Sequence, residues 1–417
     1  MSESRASHRL LRMTGRDPHE EHRAATPLEL LYDLTLVVAF GAAGNELATQ
    51  LAKGHTSVGV IGFSFAAFAI CWAWINYSWF ASAYDTDDWL FRVLTMVQMA
   101  GVIVLALGLP EMFASIDGGD TLDNGVIVAG YVVMRVAMLA LWFRVYVEDE
   151  ERRGAATTYL VTITVGQVGW CLLALADLSV GLSFALMAIP LLIELSGPVI
   201  AERRYGGTPW HPHHIAERYG LLTIITLGEG VIGTVAAMSY FVHLPEGGWS
   251  NDAKLVLAAG IGLTFGMWWV YFSIPWAEVL HHHRERSFIW GYGHIPLFAS
   301  IAASGAGLHV AEYYLEHKYA IGEVGTVLSV AVPVGVFTLL IYIMYATVMR
   351  AFDPFHLSLL VGTAAVLITG VLMAVGGASM PLCLVVVACA PVVTVVGYEI
   401  LGHRHMQDHL ERLRATS

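Results

Sequence analysis

Long apolar runs alternate with short polar segments along almost the whole chain. Each run is about 20 residues long, the length that an α-helix needs to cross the hydrocarbon core of a bilayer. The pattern therefore predicts an all-α polytopic membrane protein. It places about twelve transmembrane helices at residues 29–51, 56–80, 91–115, 124–147, 156–176, 179–201, 214–240, 252–275, 288–313, 322–349, 354–376 and 379–402.

The composition supports this class and excludes an ordinary soluble domain. Of the 417 residues, 56% are hydrophobic and only 13% are charged, about half the charged fraction of soluble domains. The net charge of −12 says little about partners, because the position of charges matters more in a membrane protein. The four cysteines fall inside apolar runs without metal-ligand spacing, so neither a disulfide framework nor a metal site is predicted. No cofactor and no nucleic-acid partner is expected.

The positive charges predict the orientation of the helices. With a cytoplasmic N-terminus, eighteen arginines fall on the cytoplasmic side and only Lys53, Lys254 and Lys318 on the outer side. This asymmetry is the one that the positive-inside rule requires, and it makes both termini cytoplasmic.

A weak internal similarity predicts two parallel six-helix repeats. Glu29 aligns with Glu217 at an offset of 188 residues, and Gly41 then falls opposite Glu229. The predicted organisation is a basic cytoplasmic arm (1–26), a first half (27–204), a second half (205–403) and a short cytoplasmic tail (404–417).

Ionisable side chains inside the predicted spans are the candidate functional residues, since a charge in a bilayer is costly. Two spans carry them at positions i, i+3 and i+4, a spacing that places side chains on one helix face. The residues are Glu29, Tyr32 and Asp33 in the first span and His214, Glu217 and Arg218 in the seventh.

Glu229 is the deepest acid of the seventh span. It lies eleven residues beyond Arg218, about 16 Å along the helix, and cannot reach the interface. Two interpretations stay open: a protonated acid that packs against a neighbouring helix, or a proton or cation site in a polar cavity.

Arg92 begins the third span, Arg135 lies midway in the fourth, Glu194 lies in the sixth and His294 begins the ninth. A buried arginine keeps its charge and needs an anion, and for Arg135 the sequence leaves Glu194, Glu229 and Glu46 open. The histidine-rich segments 211–214 and 281–286 have a composition that can bind metal, but the favoured interpretation is that they are solvated loops.

Three motifs carry a family resemblance: TPLELLYDLTLVVAF, AERYGLLTIITLGEGVIG and YGHIPL. They resemble the bacterial low temperature requirement protein A (LtrA) family over residues 26–403, and segment 72–89 is similar to its actinobacterial branch. The resemblance implies a bacterial plasma-membrane protein linked by name to growth at low temperature, a stress-response phenotype. It carries motif roles onto Glu29, Tyr32, Asp33, His214, Glu217, Arg218, Gly228, Glu229 and His294, whereas Gly230 stands where the family often has serine.

The favoured function is a transporter or channel-like protein whose polar cavity is lined by the candidate residues. The alternatives are an intramembrane enzyme acting on a lipid or isoprenoid, and a membrane stress-response scaffold or sensor. The enzyme is disfavoured because no nucleophile, metal motif or cofactor fingerprint stands out. The expected partners are membrane lipids and an unidentified ion or small molecule, and a homo-oligomer is compatible with the sequence.

Overall fold

The computed structural model describes residues 10–18, 20, 23–242, 249–350, 353–403 and 411. Within these residues, twelve helices are long and apolar enough to cross a membrane, as the sequence predicts. They are α1 (Pro27–Ala52), α2 (Thr56–Tyr84), α3 (Trp89–Gly118), α4 (Gly125–Glu148), α5 (Arg153–Ala174), α6 (Val180–Arg204), α7 (Pro212–Val242), α8 (Asn251–His282), α9 (Arg284–Leu315), α10 (Glu323–Met349), α11 (Pro354–Val375) and α12 (Met380–Gly402).

Local sequence signals explain where several helices begin and break. The Asp88 carboxylate accepts a hydrogen bond from the Phe91 amide at 2.9 Å and so caps α3. Proline lacks an amide proton, and helix α8 is interrupted just before Trp276, where Pro275 stands. Helix α12 is interrupted at Cys389, two residues before Pro391.

The helices pack as two units. The first contains Met1–Ala39 and Trp72–Arg218, and the second contains Phe40–Cys71 and Tyr219–Ser417. In the first unit, α3 packs on α4, and α5 packs on α4 and α6; in the second, α9 packs on α10 and α8 on α12. The two parallel repeats with a division near residue 205 stay a prediction.

The described part of the predicted N-terminal arm forms hydrogen bonds with residues at the ends of helices in the first unit. The Leu11 amide donates to Asp88 at 3.3 Å, and the Gly15 amide donates to Asp149 at 3.1 Å. Met13 is completely buried. Residues 1–9, 19 and 21–22 of the arm, and residues 404–410 and 412–417 of the predicted tail, lie outside the described residues.

Helices α3 and α4 cross at a pair of glycines, which allows their backbones to approach closely. A Cβ atom on Gly130 would lie 2.5 Å from the Leu105 amide nitrogen and 2.6 Å from the Gly101 carbonyl oxygen. We expect Gly130→Ala to lower the free energy of unfolding by about 1–3 kcal/mol, because backbone atoms cannot yield to the added methyl group. Gly125→Ala is the control, since a Cβ atom there would meet nothing within 4 Å. Equal unfolding midpoints of the two variants in detergent would contradict this crossing.

Candidate functional site

The first unit contains a buried cluster of charged and titratable side chains, which we call the acid–base cluster. It consists of Glu29 and Asp33 from α1 and His214 and Arg218 from α7. All four side chains have 0% solvent exposure. The spacing of four residues on each helix places both members of each pair on one face. The sequence therefore predicted these four positions, and the structure brings them together.

Asp33 and Arg218 form the shortest contact of the cluster. Arg218 Nη2 donates to Asp33 Oδ1 at 2.6 Å and to the Ser78 hydroxyl at 3.2 Å. The indole of Trp74 donates to the same Asp33 oxygen at 2.7 Å. Arg218 Nη1 lies 3.6 Å from Glu29 Oε1, so one guanidinium faces two carboxylates.

Glu29 has a second, structural role at the start of α1. Its Oε2 accepts the Thr26 amide at 2.8 Å, while the Thr26 hydroxyl accepts the Glu29 amide at 3.3 Å. This reciprocal pair is a capping box, and its T-x-x-E spacing is readable in the sequence. The remaining neighbour of the carboxylate is His214, whose Nε2 lies 3.3 Å from each oxygen.

Several polar atoms in and beside the acid–base cluster have no hydrogen-bond partner among the described residues. They are Glu29 Oε1, Asp33 Oδ2, His214 Nδ1, Arg218 Nε and Nη1, and the hydroxyls of Tyr32 and Tyr77. The two tyrosine rings stack with centroids 4.0 Å apart. Buried polar groups are nearly always hydrogen-bonded, so this concentration of unpaired donors and acceptors marks a candidate binding site.

The charges of the acid–base cluster do not balance. Within the cluster, two carboxylates face one guanidinium. One negative charge therefore remains while His214 is neutral, and none remains once it carries a proton. A buried charge needs compensation, so this arrangement can bind one proton or one monovalent cation.

Burial shifts the pKa values of two charged groups just outside the spans, Arg23 and Asp85. The Arg23 guanidinium donates to the carbonyl oxygens of Ser82 at 2.7 Å and Ala81 at 2.6 Å. Burial lowers the pKa of Arg23 to about 10. Burial, followed by the negative charge of Glu29, raises the pKa of Asp85 to about 6. Asp85, just beyond the end of α2, is therefore a weaker acid than an exposed aspartate.

A second buried cluster in the same unit is formed around Glu194. Its Oε2 accepts from Arg135 Nη2 at 2.6 Å and from the Trp72 indole at 2.7 Å. Its Oε1 accepts from Gln167 and the Trp170 indole, each at 3.0 Å. Of the three acids that the sequence left open for Arg135, the structure thus selects Glu194. The pair is neutral, and both carboxylate oxygens accept hydrogen bonds.

Tyr32 interacts electrostatically with residues of both clusters. Its hydroxyl is fully buried and lies within electrostatic range of Arg135, Asp33 and Arg218. The third residue of the first motif therefore lies beside the four clustered residues, as its position on the same helix face predicted.

Three further candidates lie apart from both clusters. Arg92 pairs with Asp87 at 2.8 Å on the exposed surface, and Glu217 points to the exposed side of α7. His294 is buried, with Nδ1 donating to the Trp290 carbonyl oxygen at 2.8 Å and Nε2 accepting from the Tyr271 hydroxyl at 3.0 Å. These partners fit a neutral imidazole.

Glu229 is buried in the second unit, midway along α7, with 6% exposure. A Cβ atom on Gly41 would lie 3.2 Å from its Oε1, and one on Gly305 would lie 2.8 Å from its Cβ, so two glycines make room for it. Among the described residues, no charged group compensates this carboxyl group. The histidine-rich segment 211–214 is not a solvated loop as predicted, because His211 and His214 are 5% and 0% exposed and α7 begins at Pro212. In the described part of the chain, no group of three or more His, Cys, Asp or Glu is placed to hold a metal ion.

Comparison with known proteins agrees with the motifs that carry these residues. An uncharacterised protein of Rhizobium meliloti (strain 1021) is 26% identical over 327 residues, which cover 73% of this chain and 72% of the relative. The family described as "Bacterial low temperature requirement A protein (LtrA)" matches residues 24–391, a range that includes both clusters, Glu229 and His294. The chain therefore belongs to the LtrA family.

Proposed function

We propose that this LtrA-family protein is a proton-coupled transporter or channel-like protein of the bacterial plasma membrane, with the acid–base cluster as its proton site. The observation that carries the proposal is the charge imbalance of a completely buried group, two carboxylates against one guanidinium. Intramembrane acids and histidines of this kind are typical of proton relays in transporters.

The proposed proton step takes place between His214 and Glu29. The imidazole Nε2 lies 3.3 Å from the carboxylate, so a proton can move between them without a large displacement. The short bond from Arg218 to Asp33 opposes protonation of that acid at the same time, because a guanidinium stabilises the carboxylate form. When one proton binds, the net charge of the cluster goes from −1 to zero, and when the proton leaves it returns to −1. This change of charge can favour one arrangement of the helices over another.

The other candidate residues take different parts in this proposal. Glu229 is a second protonatable position, because it is a buried acid without a compensating charge. The ion pair of Arg135 and Glu194 keeps its charges during transport, and Arg92 and Glu217 lie on the exposed surface and take no part in the proton step. Tyr32 contributes a hydroxyl beside the cluster, and His294 supports the packing of α9.

The proposal includes a topology and a repeat. Both termini are cytoplasmic, in agreement with eighteen arginines on that side against three lysines on the other. Two parallel six-helix halves, 27–204 and 205–403, rock against each other during transport. We also assign the chain to the actinobacterial branch, on the basis of the aromatic segment 72–89.

Proton flux into liposomes tests the proposal. With a pH-sensitive dye inside vesicles that carry the purified protein, we expect Glu29→Gln to abolish the proton flux of the wild type. Glutamine still completes a capping box, so the start of α1 is retained. Glu217→Gln is the matched control: the same change on an exposed position of the second motif is expected to leave the flux unchanged.

Two further variants separate the possible outcomes. His214→Gln removes the titratable partner of Glu29 and is expected to reduce the flux and flatten its pH dependence. Glu229→Gln tests the second acid independently. If Glu29→Gln and His214→Gln both retain wild-type flux while the protein remains folded, the acid–base cluster is structural and the proposal fails.

A further inference from the structure

A groove in the second unit is not used by the proposed proton site. It has a volume of about 770 Å³, within the range of about 300–1,000 Å³ that ligand sites occupy. Helices α1 and α9 contribute residues such as Leu47 and Ser300 to it, and α2 and α10 contribute Phe63 and Val332. We propose that this groove binds one acyl chain of a membrane phospholipid.

The floor and the rims of the groove differ in exposure. Leu47, Phe63 and Ala67, which form the floor, are buried. The rim residues Val60, Val332 and Val336 are exposed. On α10 the rim is formed by Val332 and Val336, one helical turn apart, and these face the surroundings of the protein. A groove of this form, within helices that cross the bilayer, opens sideways to lipid.

The wall of the groove has the chemistry of a hydrocarbon site. Of the described residues that line it, none is charged. Its two buried serines are satisfied by their own helices: Ser300 donates to the Leu297 carbonyl oxygen and Ser329 to the Thr326 carbonyl oxygen, both at 2.7 Å. A polar ligand would therefore find no free donor at these serines, whereas an alkyl chain needs none.

The length of the groove matches one leaflet of a bilayer. Its lining runs along α2 from Thr56 to Phe68 and along α10 from Gly325 to Val336. At 1.5 Å per residue these stretches are about 16–18 Å long, and one leaflet is about 15 Å, half of the hydrocarbon core. The groove thus extends from one membrane surface to the middle of the bilayer, the path of a single acyl chain.

Two exposed lysines near its mouth can contact the phosphate of a phospholipid, and the acids Glu46, Glu316 and Glu323 lie close to them in sequence or in space. Gly54 and Ile321 line the outer end of the groove, and exposed lysines stand close to both in sequence. Lys53 precedes Gly54, and Lys318 lies three residues before Ile321 with its ammonium 4.5 Å from the centre of the Tyr313 ring. Lysine binds phosphate as a point charge, and every phospholipid headgroup contains a phosphate.

Photolabelling of the full-length protein tests the acyl-chain site. The probe is phosphatidylglycerol with a diazirine on one acyl chain, in liposomes that carry the protein, followed by mass spectrometry of the labelled peptides. We expect label on residues 56–68, 295–303 and 325–336. Ala303→Phe, which adds a ring to the lining of the groove, is expected to reduce that label about fivefold, since the ring occupies space that the acyl chain needs. Ala364→Phe, on the exposed side of α11, is the matched control, and the amount of label on the groove peptides of this variant should equal that of the wild type.

Further labelling experiments test whether the ligand carries a phosphate. Lys53→Gln combined with Lys318→Gln is expected to lower the phosphatidylglycerol label, while Lys254→Gln, at an exposed lysine outside the groove, is not. Diazirine-bearing diacylglycerol and fatty acid should label these peptides more weakly than the phospholipid. If Ala303→Phe does not fold, Ala299→Leu replaces it. Label spread evenly over all lipid-facing helices, or equal labelling by the probes without phosphate, overturns the proposal.

Discussion

Replacing Arg218 with glutamine is expected to lower the free energy of unfolding by about 3–5 kcal/mol, because it leaves two buried carboxylates without their cation. Arg218 contacts Asp33 at 2.6 Å and Glu29 at 3.6 Å, and all three side chains are completely buried. The loss is measured as a lower thermal unfolding midpoint of the purified protein in detergent. Arg218→Lys should recover only part of it, because an ammonium cannot reproduce the fork that reaches two acids and Ser78.

Two controls separate this effect from a general sensitivity of α7. Glu217→Gln changes the adjacent but exposed residue and should leave the midpoint unchanged. The double variant Asp33→Asn with Arg218→Gln removes one charge of each sign and should be more stable than Arg218→Gln alone. A wild-type midpoint for Arg218→Gln would show that the ion pairs contribute little to stability.

Replacing Glu194 with alanine is expected to have the second largest effect, also about 3–5 kcal/mol. Four donors lose their acceptor at once: Arg135, Trp72, Gln167 and Trp170. Each unsatisfied buried donor carries a desolvation penalty, and the arginine also loses its counter-charge. Thermal unfolding in detergent again measures the loss.

A double replacement distinguishes the charge pair from the cavity that alanine creates. Arg135→Met with Glu194→Met substitutes an apolar pair of similar volume and should be closer in stability to the wild type than Glu194→Ala. Glu111→Gln, at an exposed acid of α3, is the neutral control. If Glu194→Ala and Glu111→Gln unfold at the same temperature, the hydrogen bonds to Glu194 do not stabilise the unit.

The sequence predicted part of the candidate site because helical spacing is local. Glu29 with Asp33 and His214 with Arg218 are each four residues apart, so each pair had to share a face. Helical spacing could not tell whether Glu217 or Arg218 faces the carboxylates of α1. Adjacent residues of a helix point about 100° apart, so only one of them can face the carboxylates of α1. Packing placed Arg218 inside and Glu217 outside.

The number and class of the helices were determined by the sequence by itself. A bilayer leaves no water for backbone groups, and an apolar run of about 20 residues satisfies its own backbone as a spanning helix, so the runs give both the number and the length of the helices. The partners of the charges were decided only by the tertiary structure. Glu194 meets Trp72 across 122 positions, and Arg218 meets Asp33 across 185. No periodicity relates residues so far apart, because their contact depends on how separate helices pack.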